Sequence, residues 1–230
     1  MDFDENNWRE LIKRPDWYQE YTRLAEEARQ KLGEDTEEMQ LLNKKVRRFF
    51  ETALANNQVA LAENGPDEDA ERQPIDTIVI HHTSAKPGYE PGYMNATQLL
   101  NIYASHYARD PSLKGKAIWS GHFRNGRQTF LCYHWLMRMD GSFERLLPDN
   151  SIGWHAGNWD INTRSIAICL DNDYENQDPS AEVLSKLAEF IGRNYPDKKI
   201  IGHCEARQGT ICPGKNFLDG WKADLLSYLR

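Results

Sequence analysis

Two short stretches hold the residues best placed to do chemistry. One is Ile80-His81-His82-Thr83 near the middle of the chain. The other is Gly202-His203 followed by Thr210-Ile211-Cys212-Pro213-Gly214 near its end. One histidine from each stretch, with Cys212, offers two imidazoles and a thiolate. A catalytic zinc takes three protein ligands and leaves a fourth position open, and a thiolate beside imidazoles suits zinc better than magnesium or calcium. Such a site activates water, so the chain needs no serine or cysteine nucleophile. Cys212 differs from the other cysteines because Pro213 and Gly214 follow it in a loop, where burial does not explain a thiol. Cys132 and Cys169 sit in apolar runs, and no two of the four cysteines form a CxxC pair. They read as reduced, buried thiols of a reducing compartment.

These ligands need rigid supports. Residues 77–80 (Thr-Ile-Val-Ile) read as a buried strand that delivers His81 at its C-terminal end, and residues 199–201 do the same for His203. Further strands are expected at 165–170 and at 130–139. The latter turns at Asp140-Gly141 into a partner at 142–147. Helices are expected at 96–108, at 179–195 with Pro179 in its first turn, and at 217–229. Strands alternating with helices from residue 74 onward give an α/β texture. Residues 115–127 read as an insertion that shapes substrate entry or is a surface excursion. His106, His122 and His134 read as core or surface histidines.

The first 73 residues are of another kind. Residues 16–32 carry Tyr18, Tyr21, Leu24, Ala25, Ala28 and Leu32 at helical spacing and end at Gly33. A second helix starts after Asp35-Thr36, with Glu37 and Glu38 at its positive end. The charged, turn-rich stretch 63–69 reads as a linker. Residues 1–73 hold 11 Lys and Arg against 18 Asp and Glu, which accounts for the whole net charge of −7. Residues 74–230 are therefore balanced and show no basic field for nucleic acid. The expected division is a helical segment with linker at 1–73, which packs as a cap or docks to a protein partner or delivery apparatus, and a catalytic part at 74–230. No apolar run is long enough to span a membrane. The acidic start lacks the basic and apolar regions of a secretory signal. The expectation is synthesis in the cytoplasm and action on the cell wall after lysis or specialised export.

Six stretches occur in order: Ile78-Val79-Ile80-His81-His82-Thr83; Tyr133-His134-Trp135-Leu136 followed by Asp140-Gly141; Gly153-Trp154-His155-Ala156-Gly157; Ser165-Ile166-Ala167-Ile168; Gly202-His203; and Cys212-Pro213-Gly214. The series resembles the type-2 N-acetylmuramoyl-L-alanine amidases, the superfamily of phage lysozyme-amidases and peptidoglycan recognition proteins, over residues 74–230. The resemblance implies a central mixed β-sheet flanked by helices, here with an N-terminal helical extension. It implies a zinc ion in a groove, and hydrolysis of the bond between the lactyl group of muramic acid and L-alanine in peptidoglycan or a muropeptide. It makes His81, His203 and Cys212 the zinc ligands and places the catalytic Tyr133 beside the zinc-bound water, which it is expected to assist in place of a carboxylate base. The chemistry also calls for oxyanion donors, for which the hydroxyls of Tyr133 and Thr210 are the candidates. His82 becomes a neighbour of the centre, grouped with Trp154 and His155 toward the substrate. Some relatives carry a glutamate base on the strand after the Trp-His-Ala-Gly loop. This chain has no acidic residue there before Asp171. The competing readings are a module that binds muropeptides without cutting them, and a zinc enzyme that cuts another amide of the stem peptide.

Overall fold

The computed structural model describes residues 3–34 and 36–229. In chain order the elements are helices α1 (Glu5–Leu11), α2 (Trp17–Leu32) and α3 (Glu37–Ala55), strand β1 (Thr77–His82), and helices α4 (Pro91–Gln98) and α5 (Ser105–Arg109) joined by a π-helical stretch. Strands β2 (Phe123–Arg124), β3 (Arg127–Gln128), β4 (Trp135–Met137) and β5 (Phe143–Arg145) follow. The chain ends with α6 (Trp159–Arg164), β6 (Ser165–Leu170), α7 (Ala181–Asn194), β7 (Lys199–Gly202), α8 (His203–Ala206) and α9 (Lys222–Ser227). Among the described residues no helix is long and apolar enough to cross a membrane.

The chain forms two compact units, Met1–Asp67 with Glu90–Leu131, and Glu68–Tyr89 with Cys132–Arg230. In the first unit, the Thr36 side chain accepts from Met39 N–H at 3.2 Å and opens α3. Asp35, which the sequence places beside this start, lies outside the described residues. Phe50 is fully buried, with the rings of Trp8, Trp17, Tyr21 and Phe49 around it at centroid distances of 4.9–6.2 Å. Tyr18 is also fully buried; its hydroxyl donates to the Leu113 carbonyl at 3.1 Å and accepts from Gly115 N–H at 2.7 Å. These units differ from a division at residue 73, because the first helices share their interior with Glu90–Leu131. Short helices hold their shape mainly through such packing, not through propensity. The helix expected at 96–108 starts earlier, with Pro91 in its first turn. The 115–127 stretch runs into the β2–β3 hairpin, which turns through Asn125-Gly126 at φ 53° and 73° and ends at Gln128.

The second unit is built on a five-stranded mixed sheet in the order β5-β4-β6-β1-β7. β1 runs parallel to both β6 and β7, β4 parallel to β6, and β5 antiparallel to β4. Side chains alternate across a sheet, and β6 uses the alternation sharply. Ile166, Ile168 and Leu170 join Ile78, Ile80 and Ile200 against α7 (Val183, Leu184, Leu187, Ala188, Ile191) and Phe217, Trp221 and Leu225. The opposite face carries small or polar residues: Ser165, Ala167 and Cys169 on β6, in register with Thr77, Val79 and His81 on β1. α7 is opened by Ser180, whose side chain accepts from Val183 N–H at 3.3 Å, so Pro179 stands just outside the helix. The expected strand at 130–139 is realised as β4 alone. The preceding chain leaves the ladder where the Cys132 carbonyl crosses Gly153, at which a Cβ would lie 2.1 Å from that oxygen.

Residues 68–73, whose first two close the stretch read from sequence as a linker, are firmly held within the second unit. Asp69 accepts from Ile152 N–H at 2.6 Å, and Gln73 N–H donates to the Thr163 carbonyl. The half-buried Arg72 guanidinium donates to four carbonyls: Asp149, Asn162, Thr163 and Ser165, at 2.9–3.2 Å.

Candidate metal centre

The site rises from the small-residue face of the sheet. β1 continues through His81, whose Cα pairs with Cys169 of β6, and the ring is completely buried. The β1–β7 pairing ends at Ile80 and Gly202, so the next residue, His203, turns into α8 and swings its ring toward His81. The two ring centroids lie 4.7 Å apart. Gly202 makes this turn possible: a Cβ there would lie 2.6 Å from the Phe217 ring and 2.8 Å from Pro213. Cys212 returns to the same point because Cys204 N–H donates to the Cys212 carbonyl at 2.8 Å, closing the intervening loop. Its sulfur lies 3.8 Å from His81 Nδ1.

Ligand atoms of His81, His203 and Cys212 all lie within 4.8 Å of one another. The structure therefore brings together the three residues singled out as metal ligands. His203 Nε2 is buried and has no hydrogen-bond partner, while the ring is held against the Ala156 carbonyl. A buried nitrogen without a partner is costly, and a cation is the partner that this donor set fits. Among the described residues the group is two imidazoles and one sulfur, a donor set and number that fit a zinc with an open fourth position.

Electrostatics agree with that use. Burial, then the imidazoles of His155 and His203, holds His81 well below the usual histidine range. Burial and then Arg207 bring His203 down to about 4. Both rings are thus neutral at neutral pH, as metal ligation requires. Burial pushes the Cys212 thiol up to about 12, with the His82 backbone N–H pulling the other way. A cation must therefore displace a proton from this sulfur, and the His82 N–H is in place to support the thiolate.

The other singled-out residues take distinct positions. Tyr133 packs its ring 4.9 Å from that of His81, and burial holds its hydroxyl well above the usual tyrosine range, so it stays a proton donor. Thr210 Oγ1 accepts from Cys212 N–H at 3.2 Å and shapes the ligand loop; its hydroxyl proton is left to donate elsewhere. His82 is buried beside the centre, and its Nδ1 accepts from Tyr174 N–H at 3.0 Å with Asp173 at 3.8 Å, which anchors the turn after β6. Trp154 meets Trp159 edge-on at 5.9 Å, and the indole N–H of Trp159 donates to Glu71 at 2.7 Å. His155 lies behind His81 with both ring nitrogens engaged: Nδ1 is 3.0 Å from His81 Nε2, and Nε2 is 3.1 Å from Ser165 Oγ. That is a different task from the groove position which the resemblance implied. Asp171 is buried and accepts from Arg138 at 2.7 Å and from the backbone N–H groups of Gly88 and Tyr89. It ties the chain after the central strand β6 to Arg138 and to residues 88–89. His134 is fully used, accepting from Ala167 N–H and donating to the Ser151 carbonyl, both at 3.0 Å.

Sequence reasoning missed Ser165, Asn162 and Arg72. Asn162 Oδ1 accepts from the backbone N–H groups of His155 and Ala156 at 3.3 and 2.8 Å and so fixes the Trp-His-Ala-Gly loop. The small-large alternation of β6 was the available signal for Ser165.

A model of the family described as N-acetylmuramoyl-L-alanine amidase matches residues 71–215, more than half of the chain. The chain is 26% identical over 155 residues to a peptidoglycan-recognition protein of Drosophila simulans, covering 65% of this chain and 74% of that protein. Among solved structures it is similar to the endolysin N-acetylmuramoyl-L-alanine amidase LysCS from Clostridium intestinale URNW, at 24% identity and a TM-score of 0.42, with 68% of this chain and 86% of that one covered. It is also similar to the endolysin of bacteriophage Ph2119 from Thermus scotoductus MAT2119, at 21% identity and a TM-score of 0.45, with the same coverage.

Proposed function

The chain belongs to the N-acetylmuramoyl-L-alanine amidase family, and from that membership we propose that it uses zinc to hydrolyse the amide between the lactyl group of muramic acid and L-alanine. The substrate is peptidoglycan or a muropeptide. The observation that carries this reading is the convergence of His81, His203 and Cys212, with the buried, unpartnered Nε2 of His203 among them. Zinc held there would polarise the scissile carbonyl and bring the pKa of a water toward about 7.

The chain's own groups supply the rest. Tyr133, kept protonated by burial against the His81 ring, donates to the oxyanion that develops at the carbonyl. Thr210 offers a second hydroxyl from the ligand loop. Trp154, with Trp159 edge-on to it, gives the substrate an aromatic wall beside the His155 loop.

Mass spectrometry of purified muropeptides after incubation tests the proposal. The expected products are the lactyl-bearing sugar and a peptide with a free L-alanine N-terminus. They should form with the zinc-loaded protein and not with Cys212→Ala. Undiminished cleavage by metal-free protein would overturn the zinc reading. Release at another amide would change the substrate bond, and binding without release would identify a recognition module.

A further inference from the structure

We propose that His155 is a positioning residue for the metal centre: through its own ring it fixes the tautomer and orientation of His81, and Ser165 fixes His155 in turn. The inference rests on the reading of His81, His203 and Cys212 as zinc ligands.

The argument is one of proton accounting. His81 faces Cys212 through Nδ1, at 3.8 Å, so Nδ1 is its metal-facing atom. A neutral imidazole that ligates through one nitrogen carries its proton on the other. Nε2–H of His81 therefore donates to His155 Nδ1, 3.0 Å away. With Nδ1 accepting, His155 carries its own proton on Nε2 and donates to Ser165 Oγ at 3.1 Å. For neutral rings two proton arrangements satisfy both contacts, because the Ser165 hydroxyl either accepts from or donates to His155 Nε2. Ligation through His81 Nδ1 selects the one in which His81 Nε2–H donates to His155. The opposite tautomer of His81 would aim an N–H at the cation.

The geometry of the chain is stiff. The His81 and His155 rings stand at 88° with centroids 5.0 Å apart, which suits an N–H directed into a ring edge. His155 is buried, and Asn162 clamps the backbone N–H groups of His155 and Ala156. Ser165 starts β6, and its carbonyl is held by Arg72 at 3.0 Å. Each member is thus set by groups on the sheet or in the preceding loop, and His81, His155 and Ser165 are all buried. Second partners of this kind raise ligand basicity and fix ring direction at metal sites.

Zinc affinity of the full chain, measured by competition with a chromophoric chelator, tests the assignment, with the thermal midpoint of each metal-free protein as a control. His155→Leu, which gives His81 Nε2–H no acceptor, is expected to weaken zinc binding about 10- to 100-fold. His155→Gln, whose carboxamide oxygen can accept that proton, should restore most of the loss. Ser165→Ala, which frees His155 without touching His81, should weaken zinc several-fold. Wild-type affinity in His155→Leu, or equal losses in the Leu and Gln variants, would overturn the proposal. Should His155→Leu fail to fold, unchanged affinity in Ser165→Ala would overturn it. A wild-type chain that takes up no zinc defeats the reading of the centre itself, whereas a zinc-binding wild type with unresponsive variants defeats only the role of His155.

Discussion

Arg72 provides a quantitative test of how the sequence stretch before β1 behaves. Its guanidinium makes four hydrogen bonds to the carbonyls of Asp149, Asn162, Thr163 and Ser165. A hydrogen bond from a charged donor contributes about 1.5–3 kcal/mol net, so four such bonds have a gross value of roughly 6–12 kcal/mol. Burial pulls the guanidinium below its usual range, the signature of a desolvation cost that offsets part of this. The side chain is only half-buried, so water can reach some of the released carbonyls. The expected loss for Arg72→Met is therefore about 3–5 kcal/mol, similar to removing one partner of a buried charged pair. That is a large share of an ordinary folding stability of about 5–15 kcal/mol. Arg72→Lys keeps the charge but not the fork, and should recover less than half. Urea denaturation, with the slope checked for constancy, reads both values. A loss under about 1 kcal/mol for Arg72→Met would refute the reasoning and show that Arg72 does not anchor this stretch.

The remaining expectations concern the centre and the two units. Tyr133→Phe should lower kcat about 10²- to 10³-fold while leaving zinc content at the wild-type value; unchanged turnover would remove Tyr133 from the chemistry. In metal-free protein, His203 sits at about 4 and His81 and His155 are shifted in the same direction. Below the ordinary histidine value of about 6.5 the unfolded chain takes up protons that the fold refuses, so stability is complete above about 6.5 and falls as the pH drops toward 4. The thermal midpoint in chelator should be lower at pH 5 than at pH 7.5, with a gentler slope in His203→Gln; a flat profile would contradict this. Leu187→Ala, in the middle of α7, should cost about 2–5 kcal/mol by denaturation, without a change in zinc affinity. Deleting residues 1–67 should leave residues 90–131 open to limited proteolysis, since Tyr18, Phe50 and their neighbours form that unit's interior. Protease resistance there would show that the helices are dispensable.

How far the sequence was legible follows from how local each signal is. β6 was readable to the residue because six consecutive side chains obey a period of two, and α7 because its apolar stripe is continuous. The convergence of His81, His203 and Cys212 was readable because a histidine stands at the end of β1 and another just after β7, and a loop cysteine had no packing reason to exist. The partner of the N-terminal helices was not readable. Tyr18 is satisfied by Leu113 and Gly115, nearly a hundred residues away, and helical periodicity does not say what a face packs against. The role of His155 was hidden for a related reason. A motif names the residue type, but both of its ring nitrogens are committed by residues outside the motif, His81 and Ser165.

The alternation along β6 has a consequence for how this strand can vary. Its odd-numbered residues, Ser165, Ala167 and Cys169, form the floor under the histidines, while Ile166, Ile168 and Leu170 fill the helix-covered side. One strand thus carries two opposite size limits, a ceiling at every odd position and a minimum at every even one. Enlarging the floor crowds the imidazoles and leaves the helix side intact; trimming the other side loosens α7 and leaves the imidazoles in place. A saturation scan of residues 165–170, sorted by zinc retention and by folding, should separate into two interleaved sets. A one-residue slip of the strand would violate all six limits together, so the register of β6 is guarded from both sides of the sheet.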